Sequence, residues 1–269
     1  MGFIIKEGSP KVGWFPASCG TGPTAVKFYM GQLVQWMYGG VYPLIAAVAK
    51  PEVTSFPFGV VLGFNVAPGN ATYDSTYKCE YASSVITQAT LLAKAGNVAF
   101  AEGMIQKGEL QLMVKVGIIA PDCTVLEGPI CSGTFGTAPT VVTATTADTD
   151  GLSGMVHGTA DATFVANNNM YYCHSGKNQG VYRMSYAASA TTPTFYSPWP
   201  NVWAVGDTYV ATNMGIGRQY VEFGTAGVGM FIDNTDNLTH AFVVNVHSMN
   251  LETAGKETAQ FSFAAYSAI

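Results

Sequence analysis

Along most of this chain the apolar positions alternate with polar ones or fall in short blocks bounded by glycine. That pattern predicts strands. The clearest case is ELQLMVKVGI, in which Leu110, Leu112, Val114, Val116 and Ile118 point one way while Glu109, Gln111 and Lys115 point the other. KFYMGQLVQWMYGGVYPLIAAV reads as two apolar-aromatic strands around Gly39-Gly40, a pair that favours the primed turns matching sheet twist. FPFGVVLGF, from Phe56, predicts a further strand with a glycine bend at Gly59 or Gly63. One stretch has a helical period: in ASSVITQATLLAKAG, Val85, Ile86, Ala89, Leu92 and Ala93 share a face, Ser83 or Ser84 caps the start and Gly96 ends it.

Residues 128–151, GPICSGTFGTAPTVVTATTADTDG, are rich in Gly, Thr and Pro and predict a linker or surface arm with one β stretch at 140–145. After it come YVATN, QYVEF, AFVVNVHSMNL and AQFSFAAY, separated by Gly, Asn and Asp. No period of a solenoid or propeller recurs. The expected fold is mainly β: two small β-barrel or β-sandwich domains, at 1–130 and 152–269, joined by residues 131–151, with one short helix in the N-terminal half.

The stretch YYCHSGKNQGVYRMSYAA poses a choice between a phosphate loop and a hairpin. A Walker loop needs a second glycine five residues before Gly176, a hydroxyl after Lys177 and a helix beyond; here the next residue is Asn178 and the continuation alternates as a strand does. Gly176, Asn178 and Gly180 supply the positive backbone angles of a tight connection, so Lys177 is predicted to be a solvated turn residue.

Charge changes the picture of the surface. Of 269 residues only 11% are Asp, Glu, Lys or Arg, against about 25% in a typical soluble protein. Thr, Ser, Asn, Ala and Gly must cover much of the exterior, which suits a subunit packed against neighbours. The net charge of −5 and the scattered cations give no footprint for nucleic acid. The start MGFIIKEGSPKVGWF has no long apolar region, so neither a signal peptide nor a membrane span is expected. Five irregularly spaced cysteines, Cys19, Cys79, Cys123, Cys131 and Cys173, read as reduced, buried thiols.

Candidate chemistry is sparse. His240 and His247 are seven apart in one expected strand and so face opposite ways, and no HExxH, Cys/His or Gly-x-Ser-x-Gly spacing occurs. DTDG at Asp148 and DNTDN at Asp233 read as turns, with a shared calcium as the alternative. GIG at Gly215 and GTAGVG at Gly224 open no βαβ unit and read as bends between strands. No catalytic residue, cofactor or resident metal is expected, and the chain is read as no enzyme. Trp199 and Trp203, in FYSPWPNVWAVGDTYV, are either a platform for a carbohydrate ring or an aromatic plug in a small barrel.

The order CHSGKNQGVYR, SATTPTF, WAVGDTYV resembles a β-barrel module of structural proteins from tailed bacteriophages, with Ser-Gly-x-Asn-x-Gly-x-x-Arg ahead of a Gly-Asp turn. The matching residues are Ser175, Gly176, Asn178, Gly180, Arg183, Gly206 and Asp207. KVGWF, GQLVQW and PFGVVLGF are similar to the small barrel of phage head decoration (cement) proteins, and VKVGIIAPDCTVLEGPI has the look of the same kind of virion protein. The similarity covers about half the chain and carries no catalytic residues. It implies a capsid-decorating protein on the virion exterior, made in the host cytoplasm, with the major capsid protein and further copies of itself, as a homotrimer, as partners. The alternatives are a virion adhesion module binding host carbohydrate through Trp199 and Trp203, or another tail or shell protein.

Overall fold

A computed structural model of the chain describes residues 2–16, 30–37, 40–44, 57–64, 113–130, 141–147, 156–157, 169–188, 193–212, 214–226, 229–234, 242–253 and 255–264. These residues form strands and no helix, so the fold is mainly β. The predicted helix at residues 82–96 lies outside the described residues. The chain divides into two compact units, the first ending at Thr124 and the second continuing from Val125.

The first unit contains β1 (Ile4–Glu7), β2 (Val12–Pro16), β3 (Leu33–Met37), β4 (Gly40–Pro43), β5 (Pro57–Phe64) and β6 (Met113–Ile118). Its sheet runs β2-β6-β5-β3-β4 with every pair antiparallel. It curls enough to bring β2 back towards β4. The β3–β4 hairpin pairs Trp36 with Val41 and Met37 with Gly40, so Gly40, the second glycine of the expected turn, is already a strand residue, and Gly39 lies outside the described residues. On β6, Val114 and Val116 are fully buried while Lys115 between them is half-buried, as the alternation requires. The predicted glycine bend in β5 is a shift of register between Val61 and Gly63. Leu33, Val34, Val41, Val60 and Val61 complete this core, and each such side chain contributes about 1.5–3 kcal/mol by leaving water.

The second unit contains β7 (Val125–Pro129), β8 (Val142–Thr146), β9 (Val156–His157), β10 (Met170–Cys173), β11 (Tyr182–Ala188), β12 (Pro193–Phe195), β13 (Thr208–Ala211), β14 (Gly217–Ala226), β15 (Gly229–Asn234), β16 (Phe242–Asn250) and β17 (Thr258–Phe263). They build two sheets. One runs β7-β17-β16-β14-β15 and curls until β15 approaches β7. Its interior is a phenylalanine cluster: Phe223 lies 5.4–5.8 Å from Phe242, Phe261 and Phe263, ring centre to ring centre. Such pairs add about 0.5–1.5 kcal/mol beyond burial. The other sheet runs β12-β11-β10-β13-β8-β9.

Two expectations about organisation are corrected. The first unit ends at Thr124, not at residue 130, because Val125–Pro129 pairs with β17 from Leu126↔Phe261 to Pro129↔Thr258. Residues 131–151 are not simply a linker either. β8 lies within them, pairs with β13, and places Ala144 at zero exposure in the core. The local cause is the β-branched residues on either side of Ala144, Val141 to Thr143 and Thr145 to Thr146, a strand preference that the surrounding Gly/Thr/Pro composition obscures.

Candidate functional site

The residues of the phage-like motif converge on the tip of the β10–β11 hairpin and the loop of residues 196–207 beside it. β10 and β11 pair antiparallel through Met170↔Met184, Tyr171↔Arg183 and Tyr172↔Tyr182. Their connection turns at Gly176 (φ 87°) and Gly180 (φ 84°), a backbone region that costs other residues about 1–2 kcal/mol. Lys177 is exposed on this tip.

Each motif side chain is committed to holding the loop. Asn178, fully buried, donates from Nδ2 to the Asn201 carbonyl (2.8 Å) and accepts the Asn201 N–H on Oδ1 (2.9 Å), as a paired strand residue would. Asn201 returns a bond from Nδ2 to the Lys177 carbonyl (3.1 Å). Arg183 donates from Nε to the Pro198 carbonyl and from Nη1 to the Tyr182 carbonyl, each at 2.8 Å, and its guanidinium sits 5.9 Å from the Trp199 ring centre. Ser175 Oγ accepts the Thr208 N–H (2.9 Å) and the Thr208 hydroxyl (2.8 Å).

Asp207 departs from expectation. Its position in a Gly-Asp turn predicts bonds to the amides of Thr208 and Tyr209, yet Oδ2 accepts the Ala204 N–H (2.9 Å). Ser175 already occupies the Thr208 amide, so the carboxylate turns back and closes the loop on itself. Gly206 (φ 95°) makes that reversal possible. The main chain on either side is tied to β8: the Gly206 N–H donates to the Ala144 carbonyl and the Ala144 N–H to the Asp207 carbonyl.

Trp199 and Trp203 are the loop's payload. They are 4% and 1% exposed, 4.8 Å apart and nearly perpendicular, and they pack on Phe195, Tyr171, Tyr209, Cys173, Ala144 and Ala211. The carbohydrate platform on these two residues is therefore withdrawn, since a ring with almost no exposed area offers no face for a sugar to stack on. They plug the sheet. Neither indole N–H finds an acceptor, which places the apolar burial of the rings above their polar edges in the energetics of the loop. Burial pushes the Tyr171 and Tyr209 hydroxyls well above the ordinary phenol range, Tyr209 adding to the effect on Tyr171. Burial also pushes the Cys173 thiol up to about 11, with the Ser175 backbone offsetting this in part and the Asp207 charge adding to it, and the thiol donates to the Ser175 carbonyl (2.9 Å).

Other sequence candidates gather nowhere. β14 and β15 pair up to Ala226↔Gly229, so GTAGVG is a hairpin end. His247 bonds Ser262 Oγ (3.0 Å) where β16 shifts register, and His240 lies outside the described residues. So do Asp148 and most of DNTDN. Among the described residues, no group of three His, Cys, Asp or Glu side chains is placed to hold a metal ion. Two partners escaped sequence reasoning: Asn201, whose only signal was its place after Pro200, and Ser175 as a partner of Thr208.

Comparison of the chain with family models, curated proteins and solved structures returned no match.

Proposed function

We propose that the chain is a structural virion protein of a tailed bacteriophage that decorates the outside of the capsid and braces it. The observation that carries the reading is the bracket itself. The residues matching the phage module, Ser175, Gly176, Asn178, Gly180, Arg183, Gly206 and Asp207, form one connected device that clamps an aromatic plug onto a sheet. Such a device serves rigidity, and rigidity is what a shell-bracing subunit contributes. A surface with few charges, and with Trp14, Trp36, Val202 and Val205 about half exposed or more, adds support. The mechanism is mass action: a protein that binds only the assembled shell lowers the free energy of that state and opposes rupture. The partners are the major capsid protein and further copies of this chain, closed into a threefold ring.

Co-sedimentation with undecorated capsids tests this directly. Saturable binding that raises the temperature of capsid disruption is expected. A chain that ignores capsids and binds glycans instead transfers the reading to an adhesion role at a surface other than Trp199 and Trp203.

A further inference from the structure

In the second unit, the connection between β16 and β17 is held through its backbone by side chains of the other sheet. Leu251, fully buried on the β16–β17 connection, donates its N–H to Tyr182 Oη (3.1 Å), and its carbonyl lies 3.1 Å from His174 Nε2. A carbonyl only accepts, so Nε2 carries the hydrogen and the ring donates. The rings behind this clasp are in mutual contact, Tyr172 lying 4.6 Å from Tyr182 and 4.8 Å edge-on to His174.

Glu257 ends the same connection and is 3% exposed. Its Oε1 accepts the Gly255 N–H (2.9 Å), whereas Oε2 is buried with no partner. Its carbonyl accepts the Ile130 N–H, anchoring the chain beside β7. The ionisable groups around the seam are His174, Tyr172 and Tyr182 from the β10–β11 hairpin, Glu252 and Lys256 on the connection, and Glu127 on β7, which is engaged by Gln260.

We propose that Glu257 is a proton latch on this seam: neutral, it lets the β16–β17 connection stay docked on His174 and Tyr182, and ionised, it drives the connection to open. A charged oxygen without a donor is far costlier to bury than a neutral one. Burial accordingly raises the Glu257 carboxyl above the ordinary range, and its own amide, the Gly255 amide and His174 offset this only in part. Because the folded value lies above the unfolded one, the docked state is fully favoured below the ordinary carboxylate range. That advantage is lost as pH rises through the raised value. His174 donates to Leu251 whether neutral or charged, so acid leaves the clasp itself intact.

Hydrogen exchange at the Leu251 amide of the full chain, expressed as a protection factor, tests the latch against Glu257→Gln, which imitates the neutral form. As pH falls from neutrality to below the ordinary carboxylate range, wild-type protection should rise relative to the variant, by roughly tenfold for each pH unit that separates the folded from the unfolded carboxyl. Parallel profiles, or wild-type protection that falls with acid, would overturn the proposal. The 13C resonance of the Glu257 carboxyl in the wild-type chain gives a second measurement that needs no variant. A titration midpoint at or below the ordinary glutamate value overturns it as well.

Discussion

Asn178 does the work of a strand residue with a side chain. Replacing it with alanine removes both bonds to Asn201 and leaves the hairpin tip and loop joined by Arg183, Ser175 and the Asn201–Lys177 bond. The expected loss is about 1–2 kcal/mol, because Asn201 is exposed and water can satisfy its freed groups. Asn178→Asp keeps the acceptor but sets a buried carboxylate oxygen against the Asn201 carbonyl, so urea denaturation at neutral pH should rank it no better than alanine; equality with wild type would deny the Nδ2 bond any role. Cys173 offers a chemical readout of the same core. With its thiol pushed up to about 11 and its sulfur buried, it should resist alkylation at about pH 8 while exposed Cys123 reacts, and peptide mass spectrometry separates the two. Labelling of Cys173 in the native chain at the rate of Cys123 would mean the plug does not seal the sheet.

The hairpin and its loop behave as one element, and two glycines show how. Gly176 and Gly180 share a positive φ, but a methyl group on Gly180 meets nothing, whereas one on Gly176 strikes the Asp207 carboxylate. Gly180→Ala should cost only the backbone penalty of about 1–2 kcal/mol. Gly176→Ala should cost more, because it also pushes Asp207 off the Ala204 amide. In an Asp207→Ala background, itself lower by about 1 kcal/mol, that surplus should vanish, and a double-mutant cycle on thermal melting measures it. Strict additivity would separate the turn from the loop. The hairpin was legible in the sequence because period-two alternation on both sides of a Gly/Asn cluster has one simple solution. The bracket was not: Asn178–Asn201 and Ser175–Thr208 span 23 and 33 residues, and no local pattern encodes a partner at that distance. β8 was legible as a short β stretch but hidden as a core strand, since Ala144 is an ordinary small residue until Gly206 and Asp207 pair with its backbone. Trp199 and Trp203 stayed ambiguous because a plug and a platform use the same residues and differ only in which face water reaches.

At the scale of the whole molecule, placing β8 in the sheet changes how assembly is tested. Deleting residues 134–149, the natural experiment on a linker, would remove a strand that carries Ala144 into the core and ties down the Gly206-Asp207 turn, so it should impair folding before it impairs binding. The composition supplies a cleaner probe. With 11% charged residues and no cluster of cations, the surface has little with which to steer a partner electrostatically. Exposed Trp14, Trp36, Tyr196, Val202 and Val205 point to apolar contact instead. Binding held by exposed charges weakens steeply with salt, because the screening length falls from about 10 Å at 0.1 M to about 3 Å at 1 M. Binding held by apolar burial does not, and it leaves a negative heat-capacity change. We therefore expect the chain to sediment with undecorated capsids, and to show a trimer mass by light scattering, about equally well at both salt concentrations, with calorimetry returning a negative heat-capacity change on binding. Affinity that collapses by a hundredfold or more at high salt would show that a few charges carry the contact after all, and the apolar account of assembly would fall with it.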